Sequence, residues 1–325
     1  MRTTILPFYF MIMITFRSLL LTSLAGVAIA SAQPFAYVSN QMANTVVVVN
    51  RSTNKIAATI PISGSDLSGL AVSPSGAYVY VTEQSKSTVA IISTATNTVT
   101  GTVTVGSSPV QVAFTPNGEF AYVANAASNN VSVINTSTAA VIATIPVGSK
   151  PSGIAVSPDG SEVLVANLLS ANISVISTAS NSVTATWTAL SGPNGIAISG
   201  DNVYVTDQYA NSLTVHNLAT GVILSTVTGM SAPNAVAVTP DGTQIYVTNG
   251  NASSVWALST STLAVEAKLS IGQLPTAVAV SSNGATAYTV SGFGYSMTEI
   301  NTATNTITAT LQRVGVYPFS IALFD

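Results

Sequence analysis

Three regularities in the 325 residues predict an all-β architecture, a seven-bladed β-propeller whose blades are four-stranded antiparallel sheets. The first is a series of seven β-rich segments centred on Tyr37, Tyr80, Tyr122, Leu164, Tyr204, Tyr246 and Tyr288, spaced 40 to 43 residues apart. The second is a series of seven alanine-centred segments on the same period, at Ala71, Ala113, Ala155, Ala197, Ala237, Ala279 and Ala322. The third is that four β-rich runs separated by turn residues fit inside each period. Four strands every ~42 residues is the spacing of a propeller blade.

Blade four shows the elements in order. Residues 153–157 predict the first strand, Pro158, Asp159 and Gly160 the turn, 162–166 the second strand, 172–177 the third and 182–188 the fourth. First strands crowd together at a propeller axis, so the repeated central alanine is expected to be a packing residue. The ends of the body are complementary: 35–40 reads as a second strand with no first strand before it, and 318–325 as a first strand with no second after it. The C-terminal run is therefore expected to complete the N-terminal blade and close the ring, leaving no open sheet interface.

Residues 1–32 read as an export signal. An apolar run over 18–30 follows Arg17, and Ala30, Ser31 and Ala32 supply the small-x-small pattern of a cleavage site, which places the cut after Ala32. A second apolar run, 5–14, makes the upstream region long, and Met11 or Met13 is an alternative start. An uncleaved membrane anchor is the competing reading. No later run is long and apolar enough for a membrane-spanning helix, so residues 33–325 are expected to form one exported domain, periplasmic, on the cell surface or secreted.

Composition removes several kinds of function. Only 6% of residues are charged, and eleven acidic residues against eight basic ones leave no footprint for a phosphate backbone. Nucleic acid is not an expected partner. The lack of cysteine excludes disulfides, thiol nucleophiles and thiolate metal sites, and a single histidine leaves little for transition metals. No metal set and no cofactor is expected.

The register Ile/Val-Ala-Val-Ser-Pro-Asp-Gly, Tyr-Val-Thr/Ala-Asn, Val-Ser-Val-Ile and Thr-Ile-Pro-Val-Gly resembles the YVTN-type propeller repeat of exported prokaryotic proteins, some of them associated with surface layers. The resemblance runs from Phe35 to Asp325. It implies a fold and leaves function open, since related propellers include lactonases, haem-d1 domains and quinone-dependent dehydrogenases.

Candidate site residues come from the face built by the loops joining strands two and three and those joining strand four to the next blade. Departures from the repeat are the internal markers. Strand two ends in Asn40, Asn125, Asn167 and Asn249, but in Glu83 in blade two and Asp207 in blade five. A pair of carboxylates suits Ca²⁺ or acid–base work, whereas a turn cap requires only a short polar acceptor. Asp66, Lys86, Lys150 and Arg313 fall in the same loops, with Tyr209 and Tyr295 as exposed aromatics and Asn194 and Asn234 at the channel entrance. His216 stands in an aliphatic core register with no nucleophile or carboxylate on its strand, so a structural role is expected. A haem or quinone site lacks another axial ligand.

With no converging acid, base, nucleophile or metal set, the expected function is a non-catalytic binding scaffold that recognises a protein, glycan or other envelope component on its loop face. The alternative is a lactonase-like hydrolase or isomerase using the same face.

Overall fold

The computed structural model describes Met1 and residues 34–324 apart from Ser65, so the export-signal assignment falls outside the described residues. No helix among the described residues is long and apolar enough to cross a membrane. The body is a seven-bladed propeller of four-stranded antiparallel sheets. Blade one consists of Phe35–Asn40, Thr45–Asn50 and Lys55–Pro61 with Pro318–Phe324 as its inner strand. Blades two to seven run in chain order, from inner strands Leu67–Val72, Pro109–Phe114, Pro151–Val156, Pro193–Ser199, Pro233–Val238 and Pro275–Val280 outward. Each inner strand lies beside the inner strands of both neighbouring blades, and Pro318–Phe324 lies beside Leu67–Val72, so the ring is closed.

The apolar content follows from this packing. Along Thr45–Asn50, Val46 and Val48 pack toward blade two against Leu67, Leu70 and Val79, while Val47 and Val49 pack toward blade seven against Tyr288, Val290 and Met297. Both faces of the middle strands are buried, so their sequences are continuous β-branched runs rather than alternating ones. Outer strands differ, as in Lys55–Pro61, where Ile60 is buried and most other positions are exposed. The repeated alanines behave as expected: Ala71, Ala113, Ala197, Ala237, Ala279 and Ala322 are half-buried and pack against the clusters between blades.

Closure is an antiparallel ladder that pairs Phe35 with Phe324, Tyr37 with Ala322 and Val38 with Ile321, reinforced by Arg51 Nη2 donating to the Phe324 carbonyl at 3.2 Å. One boundary differs from the sequence reading. The inner strand of blade four begins at Pro151, where it pairs with Asn167, and a bulge intervenes before Ile154 resumes the ladder. Proline is tolerated there because the first residue of a strand need not donate to it. The bulge turns the residues between toward the axis, which matters for the site below.

A second contact ties three of the blades to the next. Tyr37 Oη donates to Asn97 Oδ1 at 3.1 Å, and Tyr122 Oη to Asn181 Oδ1 at 2.8 Å. Tyr246 likewise reaches Asn305 in blade seven. In each case a buried phenol of strand two meets an asparagine in left-handed conformation in the turn before the outer strand of the following blade. Burial pushes the Tyr37 and Tyr122 hydroxyls up to about 12, so both remain protonated donors. In blade three that turn position is Ala139, and Tyr80 instead meets Phe114 edge-on at 4.8 Å.

Deleting residues 318–325 is expected to abolish the cooperative thermal unfolding transition seen by circular dichroism; a retained cooperative melt would show that the other blades stand alone. Tyr122→Phe should lower the unfolding free energy by about 1 kcal/mol in urea titrations, whereas Tyr80→Phe, with no asparagine opposite, should be close to neutral.

Candidate ligand site

A cavity of ≈ 390 Å³ lies on the propeller axis, lined by residues from the inner strands of all seven blades and from the loops at one end of them. At one end of the inner strands stands a ring of seven equivalent residues, Asp66, Ser108, Lys150, Gly192, Ala232, Leu274 and Tyr317, of which Lys150, Leu274 and Tyr317 line the cavity. All seven have positive φ, between 47° and 77°. Six are not glycine, and a left-handed conformation costs such a residue roughly 1–2 kcal/mol. A common hydrogen bond offsets this. The carbonyl of each ring residue accepts from the backbone N–H just past strand two of its own blade, as in Leu168 to Lys150 at 2.9 Å and Gln41 to Tyr317 at 3.0 Å.

Below the mouth come Ser68, Val110, Ser152, Asn194, Asn234, Thr276 and Phe319, and below those Gly69, Gln111, Gly153, Gly195, Ala235, Ala277 and Ser320. The glycines reflect crowding. A Cβ on Gly153 would sit 2.1 Å from the Asn194 carbonyl oxygen of the next blade. Gln111 is the one large side chain of this tier. Its carboxamide lies over Gly69, and its Oε1 is buried without a hydrogen-bond partner among the described residues.

The lining is uneven. Lys150, Ser152, Asn194, Gln208 and Asn234 come from blades four to six, with Leu168 among them, while the large apolar residues Leu274, Tyr317 and Phe319 come from blades seven and one, flanked by Thr276, Ser320 and, in blade three, Gln111. Several of the polar groups are already engaged. Ser152 Oγ donates to backbone carbonyls including that of Ala166 at 3.2 Å, and Thr276 Oγ1 donates to the Pro318 carbonyl at 3.0 Å. Gln208 Nε2 donates to Asn234 Oδ1 at 2.8 Å, and Asn234 Nδ2 to the Pro275 carbonyl at 3.1 Å, which fixes that pair of amides. Lys150 is the only charged residue of the lining.

Of the residues singled out from sequence, Lys150, Asn194 and Asn234 meet in this cavity. Asp66 sits on the mouth ring and accepts a hydrogen bond from the Ser85 hydroxyl. Lys86 lies in a 3₁₀ turn with Nζ donating to Ser63 Oγ at 3.3 Å. Tyr209 lies over Gly192, and Tyr295 and Arg313 occupy exposed left-handed positions around blade seven.

Glu83 and Asp207 are buried beneath the loops, not displayed on them. A Cβ on Gly64 would fall 2.0 Å from Glu83 Oε1, and Gly106 and Gly148 bear the same relation to Asn125 and Asn167. The end of strand two thus supports the loop that crosses above it, which explains the recurrent Val-Gly of the repeat. Glu83 Oε2 accepts from Thr88 Oγ1 at 2.6 Å, while Oε1 has no hydrogen-bond partner among the described residues.

His216 is fully buried, as its register predicts, and its ring stacks near Trp187 with centroids 6.3 Å apart. The sequence reading found no partner on its strand, but the fold supplies a chain of them. Thr214 Oγ1 is 3.1 Å from His216 Nε2 and 2.7 Å from Asp207 Oδ2, and Nδ1 faces the Gly221 carbonyl at 3.1 Å. The Thr214 hydroxyl donates to the Asp207 carboxylate and so links it to the imidazole. Burial pushes the Asp207 carboxyl up to about 6, against the opposing hydrogen bonds from Thr214 and the Leu190 amide. Burial also lowers the His216 value, with the Gly221 carbonyl opposing. Among the described residues no group of three His, Asp or Glu side chains could hold a metal ion.

Gln111, Gln208, Leu274, Tyr317 and Phe319 are cavity residues not selected from sequence. Two signals would have found most of them: a large residue where the other blades carry Gly, Ala or Ser, and the identity of the residue preceding the repeated proline.

A family model described as "Lactonase, 7-bladed beta-propeller" matches residues 93–240, somewhat under half of the chain. No curated protein matches. Among solved structures, hydrazine synthase of Kuenenia stuttgartiensis superposes with a TM-score of 0.74 at 20% identity, over 82% of this chain and 92% of that one. A Desulfotomaculum acetoxidans protein of unknown function gives 0.77 at 18% identity, over 89% and 98%. A Bacteroides fragilis protein provisionally named a 6-phosphogluconolactonase gives 0.76 at 15% identity, over 91% and 99%. At these identities the likenesses show the propeller fold. The expectation of a non-catalytic scaffold is corrected by the lactonase-model match, which covers Gln111, Lys150, Asn194, Gln208 and Asn234 and so favours the alternative reading.

Asp207→Asn tests the buried chain. Folding favours the protonated carboxyl, so the wild-type protein carries no penalty near pH 4 and loses stability as pH rises through about 6. The variant should match wild type at pH 4 and exceed it by about 3 kcal/mol at pH 8, measured by denaturant unfolding across that range.

Proposed function

We propose that this protein is a lactone-directed hydrolase or isomerase working in the axial cavity. The observation that carries the reading is the lactonase-model match over 93–240, the part of the chain that holds the cavity's polar sector. In the hydrolytic direction, a water oxygen bonds to the lactone carbonyl carbon, the ring C–O bond breaks, and the ring oxygen leaves as a hydroxyl carrying a proton from that water. The carbonyl oxygen gains negative charge at the tetrahedral stage. Donors fixed around that oxygen lower the barrier because they need no reorganisation.

Lys150 supplies the positive charge, and the Asn194 carboxamide, which lines the cavity, supplies N–H donors. The Gln208–Asn234 pair is held rigid and leaves the Gln208 carbonyl oxygen to accept a substrate hydroxyl. Among the described residues no carboxylate or imidazole lines the cavity; solvent at the mouth takes up the proton and the protein's contribution is orientation and charge stabilisation. Export, read from residues 18–32, and descent from the YVTN-type repeat, read from the blade register, complete the proposal and place the activity outside the cytoplasm.

The test is ring opening of unsubstituted γ- and δ-lactones and of δ-gluconolactone, followed by acid release in a pH-stat. Acceleration over the spontaneous rate is expected, with kcat falling about 10²–10³-fold in Lys150→Met at unchanged thermal stability. No acceleration with any lactone would overturn the reading.

A further inference from the structure

The two halves of the cavity specify more than a ring carbonyl. We propose that the lactone this cavity accepts bears an apolar substituent beside its ring and no phosphoryl group, an inference that rests on the lactone-directed reading of the same cavity. The first argument is charge. A phosphate monoester carries about −1.5 to −2 at neutral pH and is held by several cationic or backbone donors. Among the described residues Lys150 is the only cation lining the cavity. Lys86 is turned to Ser63, outside the cavity, and Arg313 is not among the lining residues. One ammonium suffices for a developing oxyanion but not for a dianion as well.

The second argument is the wall opposite. Leu274, Tyr317 and Phe319, from the adjoining blades seven and one, form an apolar wall across from the amides of blades four to six, and the Thr276 hydroxyl beside them is spent on the Pro318 carbonyl. This wall is built into the fold. The Tyr317 backbone is bonded to Gln41, and its ring packs on the bare Cα of Gly292, where a Cβ would lie 3.2 Å from the ring. Its outer edge meets Phe293 in a T-shaped contact with centroids 5.2 Å apart. Phe293 and Val316 remain half exposed, at 53% and 47%, so the apolar surface continues from the cavity onto the face of the molecule. A carbonyl placed against Lys150 and Asn194 directs a ring substituent toward this sector.

The experiment measures kcat/KM for δ-lactones with 5-alkyl groups from methyl to hexyl, beside 6-phosphoglucono-δ-lactone, and measures calorimetric binding of the corresponding 6-alkyl δ-lactams, which do not ring-open. Each methylene buried on the wall should raise kcat/KM and lactam affinity about fourfold until the cavity is filled, and the phosphorylated lactone should be the poorer substrate. Leu274→Asn, which keeps a residue tolerant of left-handed backbone, and Tyr317→Ala should each flatten the chain-length dependence. A flat dependence in wild type, or preference for the phosphorylated lactone, would overturn the proposal while leaving lactone hydrolysis standing. Chain-length-dependent lactam binding without turnover of any lactone would support the ligand class and remove the hydrolytic reading. No binding and no turnover would overturn both.

Discussion

The structure depends on the blades having two apolar faces each and no interior of their own. Val46 and Val48 look one way from their strand, Val47 and Val49 the other, and each pair is covered only by the adjacent blade. Such sheets gain burial only when a neighbour stands on both sides, a condition met by every member of a closed ring and by none at the ends of an open one. The pairing of the last strand with the first therefore carries the whole assembly. The absence of free faces lets a chain with 6% charged residues remain a folded body, because its apolar strands are turned inward on every side.

Function is laid over this frame by breaking its symmetry. Seven equivalent backbones converge on the axis, but their side chains differ, so blades four to six offer an ammonium and amides while blades seven and one offer the large apolar residues Leu274, Tyr317 and Phe319. The polar groups buried just outside the cavity do another task. Asn125, Asn167, Glu83 and Asp207 support the crossing loops, and in blade five the carboxylate extends through Thr214 to His216 as a buried hydrogen-bonded chain. Titration there acts on the stability of a loop support whose next residue, Gln208, faces the cavity.

The sequence showed the fold well because a propeller is encoded by period. Tyr37 to Tyr288 and Ala71 to Ala322 recur in phase, and the unmatched strands at the ends of the body implied the closure. The site was less legible. Lys150, Asn194 and Asn234 stood out by position, but Glu83 and Asp207 stood out by charge and are buried supports. A charged residue that departs from a repeat draws the eye whether it faces solvent or backbone, and only the closeness of Gly64 to Glu83 distinguishes the two. Tyr317, Leu274 and Gln111 were passed over because apolar and amide residues look ordinary in a chain of this composition. Their meaning comes from sharing one axis, and that belongs to the closed ring, not to any single repeat.

The left-handed ring at the mouth has a consequence for how such a protein changes over time. The conformation of Asp66, Ser108, Lys150, Ala232, Leu274 and Tyr317 is held by a main-chain bond from the neighbouring loop, and residues as unlike as an acid, a base, a leucine and a tyrosine occupy it with the same geometry. The rim is in effect a set of six interchangeable sockets on an invariant chassis, with Gly192 held to glycine by the Tyr209 ring packed over it, and drift in sockets alone can move the molecule from one ligand chemistry to another without passing through an unfolded intermediate.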